Sequence, residues 1–152
     1  MGTNHEITSS RADSEARSLR LILVEDSEAD AYLVGEAARA LQYDLEVQRF
    51  ATAAEAITGI EAGISENMQG VLLDLNLPAG SGLDVLRSIR GNERTRDLRV
   101  VVMTSSISAR DREAAERLGV EGYLLKENTF EQFVATFGSA VRLIIDDRSQ
   151  LA

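Results

Sequence analysis

The chain has 152 residues, a net charge of −9, 44% hydrophobic residues and 27% charged residues. These values are typical of one globular domain, and the acidic balance argues against nucleic acid or an anionic membrane as a ligand. Cysteine is absent and the only histidine is His5, which excludes disulfides, thiolate catalysis and a histidine-built metal site. No apolar run approaches the ~20 residues of a membrane span, and the N-terminus lacks a signal-peptide pattern. We therefore expect a soluble, cytoplasmic protein.

Strands are predicted at five short apolar segments. Residues 1–18 are polar and lack periodicity, so we expect a disordered tail there, followed by a folded domain at 19–147 and a short C-terminal tail at 148–152. Runs rich in branched apolar residues predict buried strands, and one alternating run predicts an edge strand. In chain order the strands are 21–24, 46–50 (the edge strand), 71–73, 100–103 and 123–125.

Five helices are predicted between and after these strands. Each opens with a hydroxyl residue followed three positions later by an acid or amide, which is the capping-box pattern. The pairs are Ser27/Asp30, Thr52/Glu55, Ser81/Asp84, Ser108/Asp111 and Thr129/Gln132. Gly91 and Gly119 lie where helices are expected to end. The last helix carries an apolar stripe at helical spacing that predicts a core-facing surface, formed by Phe130, Phe133, Val134, Phe137, Val141 and Ile144.

Strands that alternate with helices predict a doubly wound α/β fold. Its five-stranded parallel sheet is covered by helices on both faces and joined by right-handed crossovers. Five strands suit the flavodoxin-like order 2-1-3-4-5. In such sheets, ligands bind beyond the carboxyl ends of the strands, near the point where the strand order reverses.

Polar residues end four of the five predicted strands. They are Glu25 and Asp26 after strand 1, Asp74 after strand 3, Thr104 after strand 4 and Lys126 after strand 5. Because strands 1 and 3 are neighbours in the predicted order, the three carboxylates converge, and their mutual repulsion requires a cation. Mg²⁺ suits the site because it prefers oxygen ligands and keeps several waters. We predict Asp26, Asp74 and a backbone carbonyl near Asn76 as ligands, with Glu25 holding a metal-bound water or orienting its neighbour.

The same residues predict phosphoryl chemistry. A carboxylate can act as a nucleophile and form an acyl phosphate, and phosphoryl transfer needs mainly positioning and charge neutralisation. Mg²⁺, the Lys126 ammonium and the Thr104 hydroxyl would each neutralise or bind a phosphoryl oxygen. Singly, each residue has a structural interpretation, since an acid after a strand most often forms a turn or caps a helix. The prediction depends on the combination.

The sequence resembles the receiver domains of two-component response regulators over roughly residues 19–145. The matching segments are 23–27, 72–78 with Gly82 after it, 102–106 and 122–126. By that resemblance, Asp74 accepts phosphate from a sensor histidine kinase or a histidine phosphotransfer protein. Asp26, Asp74 and the Asn76 carbonyl bind Mg²⁺, Lys126 and Thr104 contact the phosphoryl group, and Glu25 belongs to the acidic pair. Such a protein is not an enzyme with a separate substrate, because it catalyses only its own phosphorylation and dephosphorylation.

The resemblance also implies a switch and a group of relatives. Thr104 moves toward the phosphoryl group and Tyr123 turns inward behind it, which changes the face of helix 4, strand 5 and helix 5. A downstream protein or a second copy of the chain binds there. Asn76 and Ser106 flank the site and are expected to affect the lifetime of the phosphate. The chain is similar to stand-alone regulators of the chemotaxis and phytochrome-associated types, and residues 74–78 point to the latter.

One departure from the family pattern lies beside the lysine. The family usually has proline there, often after a cis peptide bond, whereas this chain has Glu127. Because a cis bond before a non-proline residue costs about 2.5–4 kcal/mol, we predict a trans Lys126–Glu127 bond and a remodelled loop before the last helix.

Two other functions remain open from the sequence. Phosphatases of the haloacid-dehalogenase type also use a strand-end aspartate, Mg²⁺, threonine and lysine, but they need a second acid two residues on, where this chain has Asn76. A phosphorylation-independent interaction module on the same fold would bind partners without using Asp74. Mg²⁺-dependent beryllofluoride binding, or labelling by acetyl phosphate, separates these alternatives.

Overall fold

The computed structural model of the chain describes residues 17–146. Most of the predicted N-terminal tail and all of the predicted C-terminal tail lie outside the described residues. The first strand begins at Arg17, two residues before the start that the sequence predicts for the domain. Within residues 17–146, no helix is both long and apolar enough to cross a membrane.

Five strands form one parallel sheet, as predicted. They are β1 (Arg17–Val24), β2 (Tyr43–Phe50), β3 (Gly70–Leu73), β4 (Arg99–Thr104) and β5 (Gly122–Leu125). Their order is β2-β1-β3-β4-β5, and every neighbouring pair is parallel. This confirms the doubly wound 2-1-3-4-5 arrangement and places β2 at an edge of the sheet.

Five helices connect or follow these strands. They are α1 (Glu28–Ala40), α2 (Ala53–Ala62), α3 (Gly82–Gly91), α4 (Ala109–Arg117) and α5 (Phe130–Ile145). Four predicted caps bond as expected, with the hydroxyl accepting from the N–H three residues on. Ser81 instead accepts from the N–H of Leu83, at 3.0 Å. Gly119 adopts a φ of +75° just beyond α4, as a helix end requires, whereas Gly91 is the last residue of α3 and Asn92 caps that helix.

Two apolar layers hold the helices on the sheet. Alternate residues of the buried strands face opposite sides, so that α1 and α5 pack on one face and α2, α3 and α4 on the other. The predicted stripe of α5 is buried at Phe133, Phe137, Val141 and Ile144. The prediction for Phe130 is wrong, because its side chain is 47% exposed. It is the first residue of α5, and helical side chains lean toward the N-terminus, where no earlier turn lies beneath it.

The connection from β3 to α3 places the end of β3 close to a helix start. Residues 76–77 and 80–81 form a short antiparallel ladder around Pro78, and Ala79 has a φ of +52°. A Cβ added at Gly82 would lie 2.3 Å from the carbonyl oxygen of Asp74. Only glycine therefore lets α3 begin against the backbone of Asp74, which fixes the direction in which β3 ends.

Candidate functional site

Side chains from four strands meet at the carboxyl edge of the sheet. Glu25 follows β1, Asp74 follows β3, Thr104 ends β4 and Lys126 follows β5. Glu25 and Asp74 are each only 4% exposed, and Thr104 is fully buried. Among residues 17–146 the core contains one further buried polar residue, Thr95. The fold therefore collects most of its buried polar side chains at the edge where the sequence predicts a site.

Lys126 joins the acidic residues through its ammonium group. Nζ lies 2.8 Å from Oε1 of Glu25, 2.7 Å from Oδ2 of Asp30 and 2.9 Å from Oδ2 of Asp74. Lys126 is also the only lysine in the 152-residue sequence. A partly buried ammonium that contacts three carboxylates offsets their repulsion, which is the role that the sequence predicts for a cation here.

Asp30 is a member of this cluster that the sequence analysis missed. The Ser27/Asp30 pattern predicts a capping box, and the backbone N–H of Asp30 does donate to Ser27 Oγ at 3.1 Å. Its carboxylate, however, bonds to Lys126, which is 96 positions away along the chain. The capping pattern explains the presence of an acid at this position, so no signal in the sequence pointed to a second role.

Burial and charge act in opposite directions on the ionisable groups of the site. Burial raises the pKa of Glu25 to about 7, although the hydrogen bond and positive charge of Lys126 lower it. Burial also disfavours the charged form of Lys126, but the hydrogen bonds to Asp30, Asp74 and Glu25 outweigh that effect and raise its pKa. The ammonium therefore keeps its charge at neutral pH.

Three carboxylates of the site fit a divalent metal ion. One oxygen each from Glu25, Asp26 and Asp74 can be chosen so that all three lie within 4.8 Å of one another. Carboxylate oxygens are the donors that hard divalent cations prefer. Asp26 is exposed, so an ion can reach the cluster from solvent.

Arg49 fixes the backbone that carries the acidic pair. From the edge strand β2, its Nε donates to the carbonyl oxygen of Glu25 at 3.0 Å, and a terminal nitrogen donates to the carbonyl oxygen of Asp26 at 3.2 Å. In the sequence, Arg49 stands out only as part of an alternating strand pattern. Its contact with the β1–α1 loop depends on the pairing of β1 with β2, which a local pattern does not reveal.

Asn76 holds the other oxygen of the buried aspartate. Its backbone N–H donates to Asp74 Oδ1 at 2.9 Å, while Oδ2 accepts from Lys126. The side-chain amide of Asn76 donates to Ser105 Oγ at 3.1 Å, so this residue links the ends of β3 and β4. Both oxygens of Asp74 are therefore held by donors on opposite sides.

Hydroxyl groups line the β4 side of the site. Thr104 Oγ1 accepts from the N–H of Ser106 at 3.2 Å, and the Tyr123 hydroxyl donates to the carbonyl oxygen of Ser106 at 3.1 Å. The guanidinium of Arg112 lies 5.6 Å from the centre of the Tyr123 ring. The two residues predicted to form a switch thus contact the same residue, Ser106.

The loop after β5 continues without a cis bond. The structure has only non-cis peptide bonds across residues 17–146, so the Lys126–Glu127 bond is trans, as predicted. The backbone N–H of Lys126 donates to the carbonyl oxygen of Thr104 at 2.9 Å. The lysine backbone is therefore fixed to β4, and its side chain crosses to the acidic residues.

Comparison with known proteins assigns the chain to the family that its sequence resembles. The family described as the response regulator receiver domain matches residues 21–137. The chain belongs to this family. Receiver domains are signalling proteins that interact with histidine kinases and with downstream partners. The phosphatase alternative therefore loses its support, and the acid that it needs is absent because Asn76 occupies that position.

Similar proteins include regulators associated with phytochromes. The response regulator Rcp1 of Synechocystis is 36% identical over 116 residues, covering 73% of this chain and 78% of Rcp1. The Mn²⁺-bound form of Rcp1 aligns with a TM-score of 0.73 at 30% identity, over 85% of this chain and 96% of that one. The phosphorylated cyanobacterial phytochrome response regulator RcpA aligns with a TM-score of 0.74 at 28% identity, over 85% and 95%. The receiver domain described here thus has relatives of the phytochrome-associated type, to which residues 74–78 pointed.

Proposed function

We propose that this receiver domain accepts a phosphoryl group on Asp74 from a sensor histidine kinase or a histidine phosphotransfer protein. The observation that supports it most is the environment of Asp74, a 4% exposed carboxylate held between the only lysine and two further acidic residues. Phosphoryl transfer depends on positioning and charge neutralisation more than on covalent chemistry by the protein. A fixed carboxylate beside a fixed cation supplies both.

The transfer forms one bond and breaks one. A carboxylate oxygen of Asp74 attacks the phosphorus of a phosphohistidine, the P–N bond breaks, and the histidine imidazole leaves with a proton. The product on this chain is a mixed anhydride of phosphate and the Asp74 carboxyl group. Lys126 then neutralises an oxygen of the phosphoryl group, and Thr104 donates a hydrogen bond to another.

The metal in this proposal is Mg²⁺. Asp26, Asp74 and the backbone carbonyl of Asn76 bind it, and Glu25 binds through water. The clustering of carboxylate oxygens supports this assignment, as does the Mn²⁺-bound structure of the similar protein Rcp1. When bound, Mg²⁺ supplies positive charge to the phosphoryl oxygens. Arg49 keeps the backbone of the acidic pair in place.

The signal leaves the site through Thr104 and Tyr123. Movement of Thr104 toward a phosphoryl group disturbs its bond with the N–H of Ser106, and the carbonyl of Ser106 holds the Tyr123 hydroxyl. This series of contacts connects Thr104, at the end of β4, with the face formed by α4, β5 and α5. A downstream protein or a second copy of the chain binds that face when the new charge shifts the switch.

Asn76 and Ser106 set the lifetime of the phosphate. The backbone N–H of Asn76 bonds to Asp74 and its side-chain amide bonds to Ser105, so this residue lies beside the acceptor. Ser106 contacts Thr104 through its N–H and Asp111 through its hydroxyl. Both residues control the access of hydrolytic water. The domain catalyses only its own phosphorylation and dephosphorylation, acts in the cytoplasm and takes neither nucleic acid nor membrane as a ligand.

Incubation with acetyl phosphate, followed by intact-mass measurement, tests the proposal. The wild-type protein should gain the mass of one phosphoryl group only when Mg²⁺ is present, and Asp74→Asn should gain none. Asp84→Asn is the matched control, since Asp84 is an exposed acid in the first turn of α3 and its loss should leave phosphorylation unchanged.

Two results would contradict the proposal. Equal uptake by wild type and Asp74→Asn would place the phosphoryl group elsewhere. If the wild type takes up neither acetyl-derived phosphate nor beryllofluoride, and Asp74→Asn leaves partner binding unaltered, the phosphorylation-independent interaction module is the correct interpretation.

A further inference from the structure

The carboxylate of Asp30 differs from the other two partners of Lys126 in its relation to the metal cluster. Its contact with Nζ, at 2.7 Å, is the shortest of the three. Glu25 and Asp74 belong to the group of carboxylates that can hold a metal ion, whereas the group found among residues 17–146 does not include Asp30. Lys126 thus has two partners that also serve the metal site and one that does not.

Binding of a cation and a phosphoryl group changes how many carboxylate oxygens of Glu25 and Asp74 are left to accept hydrogen bonds from Lys126. In the structure described here, one oxygen of each carboxylate accepts from Nζ. A divalent ion placed among Glu25, Asp26 and Asp74 competes for those oxygens, and formation of the mixed anhydride moves the negative charge from the Asp74 carboxylate to the phosphoryl oxygens. Asp30 remains as an anionic partner of the ammonium.

Apart from these carboxylates, the hydrogen bond that residues 17–146 make to Lys126 holds the base of the lysine. The backbone N–H of Lys126 donates to the carbonyl oxygen of Thr104, and the Nζ end of its long side chain has the three carboxylates as its ion-pair partners. While a metal ion competes for Glu25 and Asp74, and before a phosphoryl oxygen is in place to attract it, the flexible ammonium keeps Asp30 as the partner that restrains it.

We infer that Asp30 is a positioning residue that keeps the Lys126 ammonium beside the phosphoryl site while the metal ion and the phosphoryl group occupy Glu25, Asp26 and Asp74. The inference rests on the proposed function and extends it to a residue that does not touch the reacting atoms. Asp30 acts through Lys126 alone, so its effect vanishes when the ammonium is removed.

Four single substitutions and one double mutant test this role. Asp30→Asn removes the charge but keeps the backbone N–H that donates to Ser27 Oγ, so the cap of α1 survives. Asp30→Glu restores the charge on a longer side chain. Glu28→Gln is the matched control, because Glu28 is an exposed acid in the same helical turn. Lys126→Met, alone and combined with Asp30→Asn, completes a double-mutant cycle.

The first measurement is the rate of phosphorylation by acetyl phosphate at saturating Mg²⁺. Asp30→Asn should be slower by about tenfold, since misplacing a catalytic group by about 1 Å costs up to a hundredfold. Asp30→Glu should recover part of the rate, and Glu28→Gln should match the wild type. In the Lys126→Met background, Asp30→Asn should cause no further loss. An equal loss in both backgrounds would overturn the inference, because charge removal alone would then explain it.

The second measurement observes the lysine directly and does not depend on phosphorylation. Because the chain has one lysine, protein labelled with ¹³C-lysine gives a single set of lysine side-chain NMR signals. With Mg²⁺ added, the Cε signal of the wild type should keep the relaxation of an ordered group, whereas that of Asp30→Asn should relax like a mobile chain. Identical relaxation in the two proteins would overturn the inference. Failure of the wild type to take up phosphate would instead contradict the proposed function and leave this measurement valid.

Discussion

The two sides of the site are held together by different forces. The ionic side consists of Glu25, Asp30, Asp74 and Lys126, which form three charged contacts of 2.7–2.9 Å. The hydroxyl side consists of Thr104, Ser105, Ser106 and Tyr123, which are linked mainly by neutral hydrogen bonds of 3.1–3.2 Å. One bond leads outward to a charged group, since the Ser106 hydroxyl donates to the carboxylate of Asp111 at 2.9 Å. The hydroxyl side also adjoins an exposed loop, where Ile107 is 86% exposed.

This difference separates two tasks. Buried charged contacts are strong only while every charge has a partner. The carboxylates of the ionic side therefore require a cation at all times, and this can be the Lys126 ammonium or a metal ion. A neutral hydrogen bond contributes only about 1 kcal/mol net, so the hydroxyl side can exchange partners at small cost. On the proposed function, the ionic side would bind the added charge, and the hydroxyl side would pass the change in structure on to the face formed by α4, β5 and α5.

Loss of the ammonium should have the largest effect. Lys126→Met leaves Glu25 and Asp74 as buried, unpaired charges, which should lower the free energy of unfolding by about 3 kcal/mol in metal-free protein. Because a divalent cation can replace the lost positive charge, Mg²⁺ should restore more stability to this variant than to the wild type. Urea unfolding with EDTA or with Mg²⁺ measures both effects.

The control for that experiment is an exposed ion pair. Arg87 and Asp84 lie 3.0 Å apart on α3, with both side chains more than half exposed, and Arg87→Met should change stability by less than about 1 kcal/mol. If Lys126→Met resembles Arg87→Met, the ionic side does not depend on its lysine and the comparison between the two sides fails.

Removal of the guanidinium behind the acidic pair should weaken metal binding. Arg49→Gln loses the contacts with the carbonyl oxygens of Glu25 and Asp26 and should bind Mg²⁺ about tenfold more weakly, as the loss of other supporting residues does. Removal of a positive charge would by itself strengthen cation binding, so the direction of the change identifies the cause. Calorimetric titration with Mg²⁺ measures it.

Arg20→Gln is the control for Arg49→Gln, because it removes the same positive charge at a different position. Arg20 lies on β1 and its side chain pairs with Glu46 at 3.4 Å, away from the acidic pair. Its Mg²⁺ affinity should equal that of the wild type or exceed it slightly. Tighter Mg²⁺ binding by Arg49→Gln would show that the guanidinium acts only through its charge.

On the hydroxyl side, Thr104→Val should have a smaller and different effect. The change keeps the shape of the buried side chain but removes the acceptor for the N–H of Ser106, which should cost about 1 kcal/mol of stability. Mg²⁺ affinity should not change, and beryllofluoride should bind without altering tyrosine fluorescence. A loss of Mg²⁺ binding in this variant would show that the two sides are not separate.

A further expected effect is a dependence of stability on pH that comes from Glu25. Its pKa is raised from 4.5 to about 7 in the folded protein, so between these values the folded state binds more protons than the unfolded chain. The contribution of Glu25 to stability therefore falls as pH rises through this window. The pKa of Lys126 is also raised, so its contribution to stability is fully present below pH 10.5. That contribution is therefore constant between pH 4.5 and pH 7.

Comparison of wild type with Glu25→Gln isolates this contribution. In metal-free protein, the stability of the wild type relative to the variant should decline from pH 4.5 to pH 7. A relative stability that rises with pH would mean that the ion pair with Lys126 outweighs burial.

The parts of the fold that were predictable are those encoded locally. Branched apolar runs marked the three buried strands β1, β3 and β4, because a strand covered on both faces must be apolar on both. The prediction of a buried strand at 123–125 is wrong, because β5 lies at the second edge of the sheet and Leu125 is 43% exposed. Hydroxyl residues marked all five helix starts. The prediction that Phe130 faces the core was wrong because periodicity identifies the apolar face of a helix but not how far along that face the sheet covers it. The ladder at 76–77 and 80–81 was missed because two-residue strands carry no periodicity.

The site was predictable only where strand order determines it. Glu25, Asp74, Thr104 and Lys126 follow directly from the ends of neighbouring strands. The carboxylate of Asp30 and the guanidinium of Arg49 reach the site through side-chain directions set by helix docking and strand pairing. No local pattern encodes such contacts, and in both cases a simpler role explained the residue.

Identification of the residue that carries the phosphoryl group tests the central claim most directly. Protein treated with acetyl phosphate and Mg²⁺ is reduced with borohydride, which converts an aspartyl phosphate to homoserine, and tandem mass spectrometry locates the change. The expected product is homoserine at position 74 alone, dependent on Mg²⁺ and absent from Asp74→Asn. Modification of Glu25 or Asp26, or phosphate on a hydroxyl residue while Asp74 stays unmodified, would contradict the account.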